Sequence, residues 1–336
     1  MRFLSDNTAT ACPEILAALG HVNHGRAKSY GEDEWTLRLD EAFGAFFGTD
    51  VKVFAMVSGT AANALTIGTL ATAFGAVFAH EKAHVINDEY GASELFSGGA
   101  KLIGVPGPNG KLTTGALGAA IERLAGSTHS LQPTVVSLTQ ATEVGTSYRP
   151  DEIAALAQLS HRWQLKVHMD GARFANSVEF LGCTPADVTW RAGVDVLSFG
   201  ATKNGALAAE AVVFFNRDLV RDFELRRKRA GHLISKARFV SAQLLAYLEN
   251  DVWRRNAARS NGFARQIGAA AGPALLYPVE ANELFLNLGN ERMKRLRDAG
   301  FEFHPWDGES SGSARFVVSW DQPESDVAAL CRALSP

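Results

Sequence analysis

Asp195-Val196-Leu197-Ser198-Phe199-Gly200-Ala201-Thr202-Lys203-Asn204-Gly205 is the stretch that decides how the rest of the chain is read. It opens as a short apolar run bounded by glycines, the pattern of a buried strand. At its end stands Lys203, with no acidic residue within six positions on either side. An apolar, glycine-lined turn disfavours the charged form of a lysine. The neutral amine is then free to condense with a carbonyl compound.

A second run, Leu165-Lys166-Val167-His168-Met169-Asp170-Gly171-Ala172-Arg173, is another short strand ending in an acid, and Asp170 precedes Lys203 by 33 residues. That is the length of a βαβ unit, whose parallel strands deliver their carboxyl ends to one edge of the sheet, where ligands bind. An acid and a lysine presented together there suit pyridoxal 5′-phosphate (PLP). The lysine anchors the aldehyde carbon, and the carboxylate keeps the ring nitrogen protonated so that the ring takes up electrons.

Composition agrees with a globular enzyme. The chain has 336 residues, enough for two domains, with 46 % hydrophobic and 21 % charged residues. A net charge of −3 argues against nucleic acid or an anionic membrane as partner. Cys12, Cys183 and Cys331 are too few and too scattered for a disulfide framework or a zinc site, and no metal is expected. No charge-free apolar run reaches membrane-spanning length, and the opening residues lack a secretory h-region, so a cytoplasmic location is expected.

Strand and helix signals alternate along the chain. Pro13 to Gly20 reads as a helix, Glu34 to Phe47 as one helix stopped by Gly48, and Val51 to Val57 as a strand. Ser58-Gly59-Thr60-Ala61-Ala62-Asn63 then opens a helix whose free N–H groups and hydroxyls suit a phosphate monoester, with Gly59 allowing close approach. Neither a P-loop nor a dinucleotide fingerprint is present.

Ala83 to Asn87, Lys101 to Val105, Thr134 to Thr139, Lys166 to Asp170, Val194 to Phe199 and Ala211 to Asn216 read as strands. Asp151 to Gln164 reads as an amphipathic helix with Ile153, Leu156, Ala157, Leu159 and Trp163 inward. The pattern predicts a mostly parallel, doubly wound α/β sheet. After Asn216 the chain turns helical and basic, and Lys236 or Arg238 offers a cation to a phosphate. An α+β tail closes the chain. The expected division is a large cofactor-binding domain over 1–230 and a smaller C-terminal one over 231–336.

Six elements in order carry a family resemblance: Ser5-Asp6-Asn7-Thr8, Tyr30-Gly31-Glu32-Asp33, Ser58-Gly59-Thr60, His168-Met169-Asp170-Gly171-Ala172-Arg173, the turn at Lys203, and Arg315-Phe316-Val317. Together they resemble the low-specificity L-threonine aldolases, over essentially the whole chain. The resemblance implies PLP fold type I (aspartate aminotransferase-like) with a seven-stranded-type sheet, and a homotetramer built as a dimer of dimers.

It also implies an aldehyde-lyase that cleaves the Cα–Cβ bond of L-threonine, L-allo-threonine and related β-hydroxy-α-amino acids to glycine and an aldehyde. The alternative is another fold type I PLP enzyme, a β-eliminating lyase or an aminotransferase. By residue, Lys203 anchors the cofactor and Asp170 pairs with its ring nitrogen. Arg173 and Lys236 are further cofactor contacts, and Ser58, Gly59 and Thr60 hold the phosphate. Ser5, Tyr30 and Arg315 bind substrate, with Ser5 and Arg315 on its carboxylate. Ring stacking falls to Tyr90 or His84, since the ungapped match to the family's stacking histidine is Gly91. Where the family has a second histidine this chain reads Gln140-Ala141-Thr142-Glu143-Val144-Gly145, so the base for the substrate hydroxyl is open.

Overall fold

The computed structural model describes residues 1–220 and 222–335. Its helices are α1 (Pro13–Val22), α2 (Glu34–Leu37), α3 (Leu39–Phe47), α4 (Gly59–Leu70), α5 (His84–Asn87), α6 (Ala92–Ser97), α7 (Thr114–Leu124), α8 (Pro150–Arg162), α9 (Phe174–Leu181), α10 (Phe223–Arg229), α11 (Arg238–Leu248), α12 (Val252–Ala271), α13 (Asn290–Asp298) and α14 (Glu324–Leu334). Its strands are β1 (Lys52–Met56), β2 (Gly75–His80), β3 (Lys101–Val105), β4 (Gln132–Thr139), β5 (Lys166–Gly171), β6 (Val196–Gly200), β7 (Glu210–Phe214), β8 (Glu283–Asn287), β9 (His304–Trp306) and β10 (Ser313–Val317).

Seven strands form one sheet in the order β1-β7-β6-β5-β4-β2-β3, parallel except that β7 runs antiparallel to both β1 and β6. Strands β2, β6 and β7 are buried along their whole length, as expected where helices cover both faces. Because β7 is reversed, its first residue, Glu210, lies beside Gly200 and Met56, at the edge where the parallel strands end. Phe199 locks β6 to the helical layer, edge-on to Phe43 at 5.2 Å and to Tyr247 at 6.0 Å.

A second, antiparallel sheet, β8-β10-β9, has its own apolar cluster of Phe263, Ile267, Leu284, Phe316, Leu330 and their neighbours. The N-terminus joins it: Phe3 is buried in that cluster, and its backbone bonds Glu302 and Val317. From there the chain crosses to the main sheet, where Cys12 N donates to Gly205 O at 2.8 Å.

Four expectations are corrected. Ala83 to Asn87 is not a strand: Asn87 Nδ2 donates to the carbonyls of Glu81 and Ala83 and closes a single helical turn, while the strand is β2, upstream. The helix over 34–47 breaks at Arg38, where the chain tightens into a Trp35–Arg38 turn; Asp33 caps the short first piece by accepting from the Thr36 N–H and hydroxyl. Helix α1 runs through Gly20 to Val22. Trp163 lies at the C-cap of α8, past its last turn, and is 40 % exposed rather than turned inward.

Candidate active site

The carboxyl ends of β1, β5 and β6 and the reversed start of β7 open onto a cavity of about 290 Å³ lined by Lys203, Asp170, Ser58, Gly59 and Thr60. Lys203 sits in a tight turn, Thr202–Asn204, directly after β6. Asn204 pins that turn, donating to Tyr247 Oη at 2.6 Å and Trp253 O at 2.8 Å. Gly205 ends it at φ +111°, where a Cβ would stand 2.5 Å from Asn256 Nδ2, so both conformation and space demand glycine. At Gly200 a Cβ would meet Ala172 O at 2.5 Å, which keeps the ends of β5 and β6 close together.

Asp170 is held from both oxygens. Its Oδ1 accepts from Ala172 N at 3.0 Å and its Oδ2 from Asn63 Nδ2 at 2.9 Å. The same Asn63 amide donates to Glu89 Oε1, which also meets His84 Nδ1, each at 2.9 Å. The hydrogen bond to Glu89 raises the pKa of His84, and burial raises that of Glu89. Donor atoms of His84, Glu89 and Asp170 lie within 4.8 Å of one another, but the Asn63 amide bridges the two carboxylates, so the cluster is already tied together. Two residues back along β5, His168 is fully buried between the hydroxyls of Ser137 and Ser198, and burial pushes its pKa down to about 4.

Around Lys203 the wall is acidic, not apolar as its sequence neighbours suggested. Glu143 and Glu210 both line the cavity. Burial pushes each up to about 7, reinforced at Glu143 by Glu283 and opposed at both by Lys203. Asp6 shows the opposite outcome. Burial raises it, but Arg173 and Lys203 outweigh that and hold it below the usual carboxylate range.

The sequence-predicted residues separate into two sets. Lys203, Asp170, Ser58, Gly59 and Thr60 converge on the cavity. Ser58 Oγ caps α4 by accepting from Ala61 N at 3.5 Å, and a Cβ at Gly59 would meet nothing within 4 Å, so that helix start faces open space. Arg173 does not line the cavity. It is buried, bidentate to Asp6 at 2.8 and 3.0 Å and 3.2 Å from Glu283. Ser5 is one residue from that pair; Asn7, not Ser5, reaches the wall.

Arg315 lies on β10 and lines an adjoining cavity with Lys82, Trp306, Asp307 and Glu143, its Nη2 donating to Leu4 O at 3.4 Å. Tyr90 is wholly exposed at φ +50°, whereas His84 lines the cavity. Tyr30 and Lys236 are also exposed, brought together where Tyr30 N donates to Ser235 O at 3.1 Å, with Lys228 Nζ 4.4 Å from the Tyr30 ring centroid.

Asn63, Glu89, Glu143, Glu210 and Asn7 complete the wall without having been chosen from sequence. Two carried a readable signal. Glu210 is the lone acid in the apolar run Ala206 to Phe215, and Asn63 is the polar exception in Ala61-Ala62-Asn63-Ala64-Leu65.

The cavity fits PLP. Asn63 Oδ1 and Glu89 Oε2 are buried with no partner among the described residues, so the inner wall presents polar atoms for a bound group to satisfy. The open α4 start offers N–H groups to a phosphate, and a carboxylate and an amine stand on the walls between.

The model of the beta-eliminating lyase family matches residues 2–289. A low specificity L-threonine aldolase from a Pseudomonas species is 45 % identical over 334 residues, covering 98 % of this chain and 95 % of that protein. Among solved structures, a threonine aldolase from Leishmania major superposes with a TM-score of 0.93 at 26 % identity, covering 99 % of this chain and 98 % of that one. An aspartate aminotransferase from Rhodobacter sphaeroides shares the fold, with a TM-score of 0.72 at 17 % identity over 99 % of this chain and 92 % of that one. By this similarity in sequence and fold, the chain belongs to the beta-eliminating lyase family and, within it, to the low-specificity L-threonine aldolases.

Proposed function

We propose that this chain is a PLP-dependent aldehyde-lyase that cleaves L-threonine, L-allo-threonine and related L-β-hydroxy-α-amino acids to glycine and an aldehyde. The observation that carries it is the convergence of Lys203, Asp170 and the α4 start on one cavity, in a chain 45 % identical to an aldolase of that name. When bound, PLP supplies the electron sink for the pair released by the broken bond.

The residues then take distinct roles. The amine of Lys203 anchors the cofactor covalently, and the pinned turn keeps it aimed into the cavity. Asp170 holds a proton on the ring nitrogen. Its two hydrogen bonds, from Asn63 and Ala172, fix the carboxylate's orientation. Ser58, Gly59 and Thr60 take the phosphate at the positive end of α4. His84 takes the stacking role, held by Glu89. Arg173 acts through Asp6 and Glu283 rather than by touching the cofactor: the pair anchors the N-terminal segment that brings Ser5 and Asn7 to the site. Arg315 and Ser5 take the substrate carboxylate, for which a guanidinium fork is the best-matched side chain.

Two further elements belong to this reading. The C-terminal part from 231 acts as a second domain: its separate sheet and an apolar cluster that runs from Phe263 onward and takes in Phe3 support this, while α11 and the first turns of α12 pack in the core of the main sheet. The active form is a cytoplasmic homotetramer in which Tyr30, Tyr90 and Lys236 serve a neighbouring subunit's site; their exposure in the single chain supports this role, as do the exposed Leu37, Leu95 and Leu207. No helix among the described residues is long and apolar enough to cross a membrane.

One experiment tests the activity: purified protein with PLP is given L-threonine, then L-serine, then an α-keto acid with an amino donor. Acetaldehyde and glycine from threonine are expected. Pyruvate from serine without acetaldehyde, or a new amino acid, assigns the chain to β-elimination or transamination instead.

A further inference from the structure

The catalytic reading leaves one proton unassigned, that of the substrate's β-hydroxyl. Among the residues lining the cofactor cavity and the neighbouring cavity that holds Arg315, Glu143 alone lines both. It follows Gln140-Ala141-Thr142, directly after β4, and the turn there is rigid. Thr142 N donates to Thr146 O at 2.8 Å, Gly145 N to Thr142 O at 2.9 Å, and the Thr142 and Thr146 hydroxyls meet at 2.8 Å. A Cβ at Gly145 would press on Glu283 O at 3.0 Å, so the turn also packs tightly against β8.

An amino acid with its nitrogen at the Lys203 end and its carboxylate at Arg315 must lie across the boundary that Glu143 occupies. Each of the other acids on the wall already accepts a hydrogen bond from the protein. Asp170 is bonded by Asn63 and Ala172, Glu89 by Asn63 and His84, and Glu210 by Ala201 N at 3.2 Å.

Resting on the aldolase reading, we propose that Glu143 is the group that takes the proton from the substrate's β-hydroxyl. The carboxylate accepts that proton, and the O–H electron pair becomes the second bond of the aldehyde carbonyl. The Cα–Cβ bond breaks with its pair left on the Cα side, and a proton delivered to Cα completes glycine. Protons and electrons balance with no further reactant.

The charged neighbours tune the group for this task. Burial and Glu283 push Glu143 up to about 7, while Lys203 and Arg173 pull it down and Asp170 adds to the rise. His84 feels the Glu143 charge from the cofactor side. On the other side Arg315 and Lys82 share the second cavity, the latter 3.7 Å from Asp307. A base poised near neutrality matches the ideal for proton transfer.

The test is Glu143→Gln. Cleavage of L-threonine is expected to fall by about 100-fold or more, the range of a lost general base. The parent is expected to show a rise of kcat/KM with pH through about 7; in Glu143→Gln that rise should disappear, and the PLP dissociation constant should stay within about threefold. Exchange of the glycine α-proton in heavy water involves no hydroxyl, so it should fall by less than tenfold. Glu143→Asp should recover part of the cleavage. Cleavage within threefold of the parent, a surviving pH limb, or loss of PLP binding would each overturn the proposal. A parent protein that exchanges glycine but releases no aldehyde from threonine would instead overturn the aldolase reading.

Discussion

Asp6 and Glu210 are both buried acids near the same lysine, and the protein treats them in opposite ways. Asp6 is met by a bidentate guanidinium and by Asn282 Nδ2 at 3.0 Å, and it stays charged. Glu210 receives one backbone N–H from Ala201, and burial dominates it. Each belongs to a different region. The Asp6–Arg173–Glu283 knot lies one residue along the chain from the cavity-lining Asn7 and Ala172; it sets one guanidinium between two carboxylates and hydrogen-bonds it to Asp6, while the Glu283 oxygens have no hydrogen-bond partner among the described residues. Inside the cavity the polar groups are only part-satisfied, which is the condition for binding something else. The difference teaches that burial alone does not make an acid functional. What matters is whether a partner of full charge was folded in with it.

Arg173→Ala should break the knot outright. It leaves Asp6 and Glu283 buried without their cation, at a cost of about 3–5 kcal/mol of folding stability. Urea unfolding of the unloaded protein would read this as a lower midpoint. A midpoint unchanged by the substitution would show that the knot relaxes into solvent.

Asp170→Ala should leave the knot intact and strike the cavity. Threonine cleavage is expected to drop about 10²- to 10³-fold, the scale of a lost charge-stabilising contact. Borohydride should still trap PLP on Lys203. Activity within threefold of the parent would remove Asp170 from its role.

Arg315→Ala tests whether the second cavity belongs to the first. Losing one partner of a desolvated charge pair costs about 2–5 kcal/mol, so cleavage should fall at least about 30-fold with PLP binding unchanged. Arg315→Lys should recover only part, because an ammonium cannot make two parallel bonds. Undiminished cleavage would separate the two cavities.

The smallest effect is a pH dependence of stability. Glu210 is raised when folded, so the folded state binds the extra proton: stability from this group is complete below the unfolded value near 4.5 and is lost as pH rises to about 7. Compared with the parent, Glu210→Gln should therefore gain roughly 1–3 kcal/mol between pH 5 and pH 8 in the unloaded protein. A parallel pH dependence in the two proteins would mean that Glu210 is charged in the fold at both pH values.

Much of this was legible in the chain. Two apolar runs ending in Asp170 and Lys203, and a small-residue helix start after β1, place their side chains by covalent spacing. A strand that ends at one edge of a parallel sheet leaves no choice about where its last residue points. The β2 strand was less legible, since Gly75 to His80 is buried on both faces and shows no alternation. It was Arg173 that misled most, because a motif position says which residue follows a strand, not which acid will fold against it.

The sequence by itself determined the α/β sheet with a lysine and an aspartate delivered to one edge, and the chain's family. Only the tertiary structure decided that β7 runs backwards and carries Glu210 to the site, that Asn63 links Asp170 to Glu89, and that Glu143 stands between two cavities. The reason is physical. The direction of a short buried strand and the partner of a buried charge are set by long-range packing, where Asp6 meets Arg173 across 167 residues, and no local spacing records that choice.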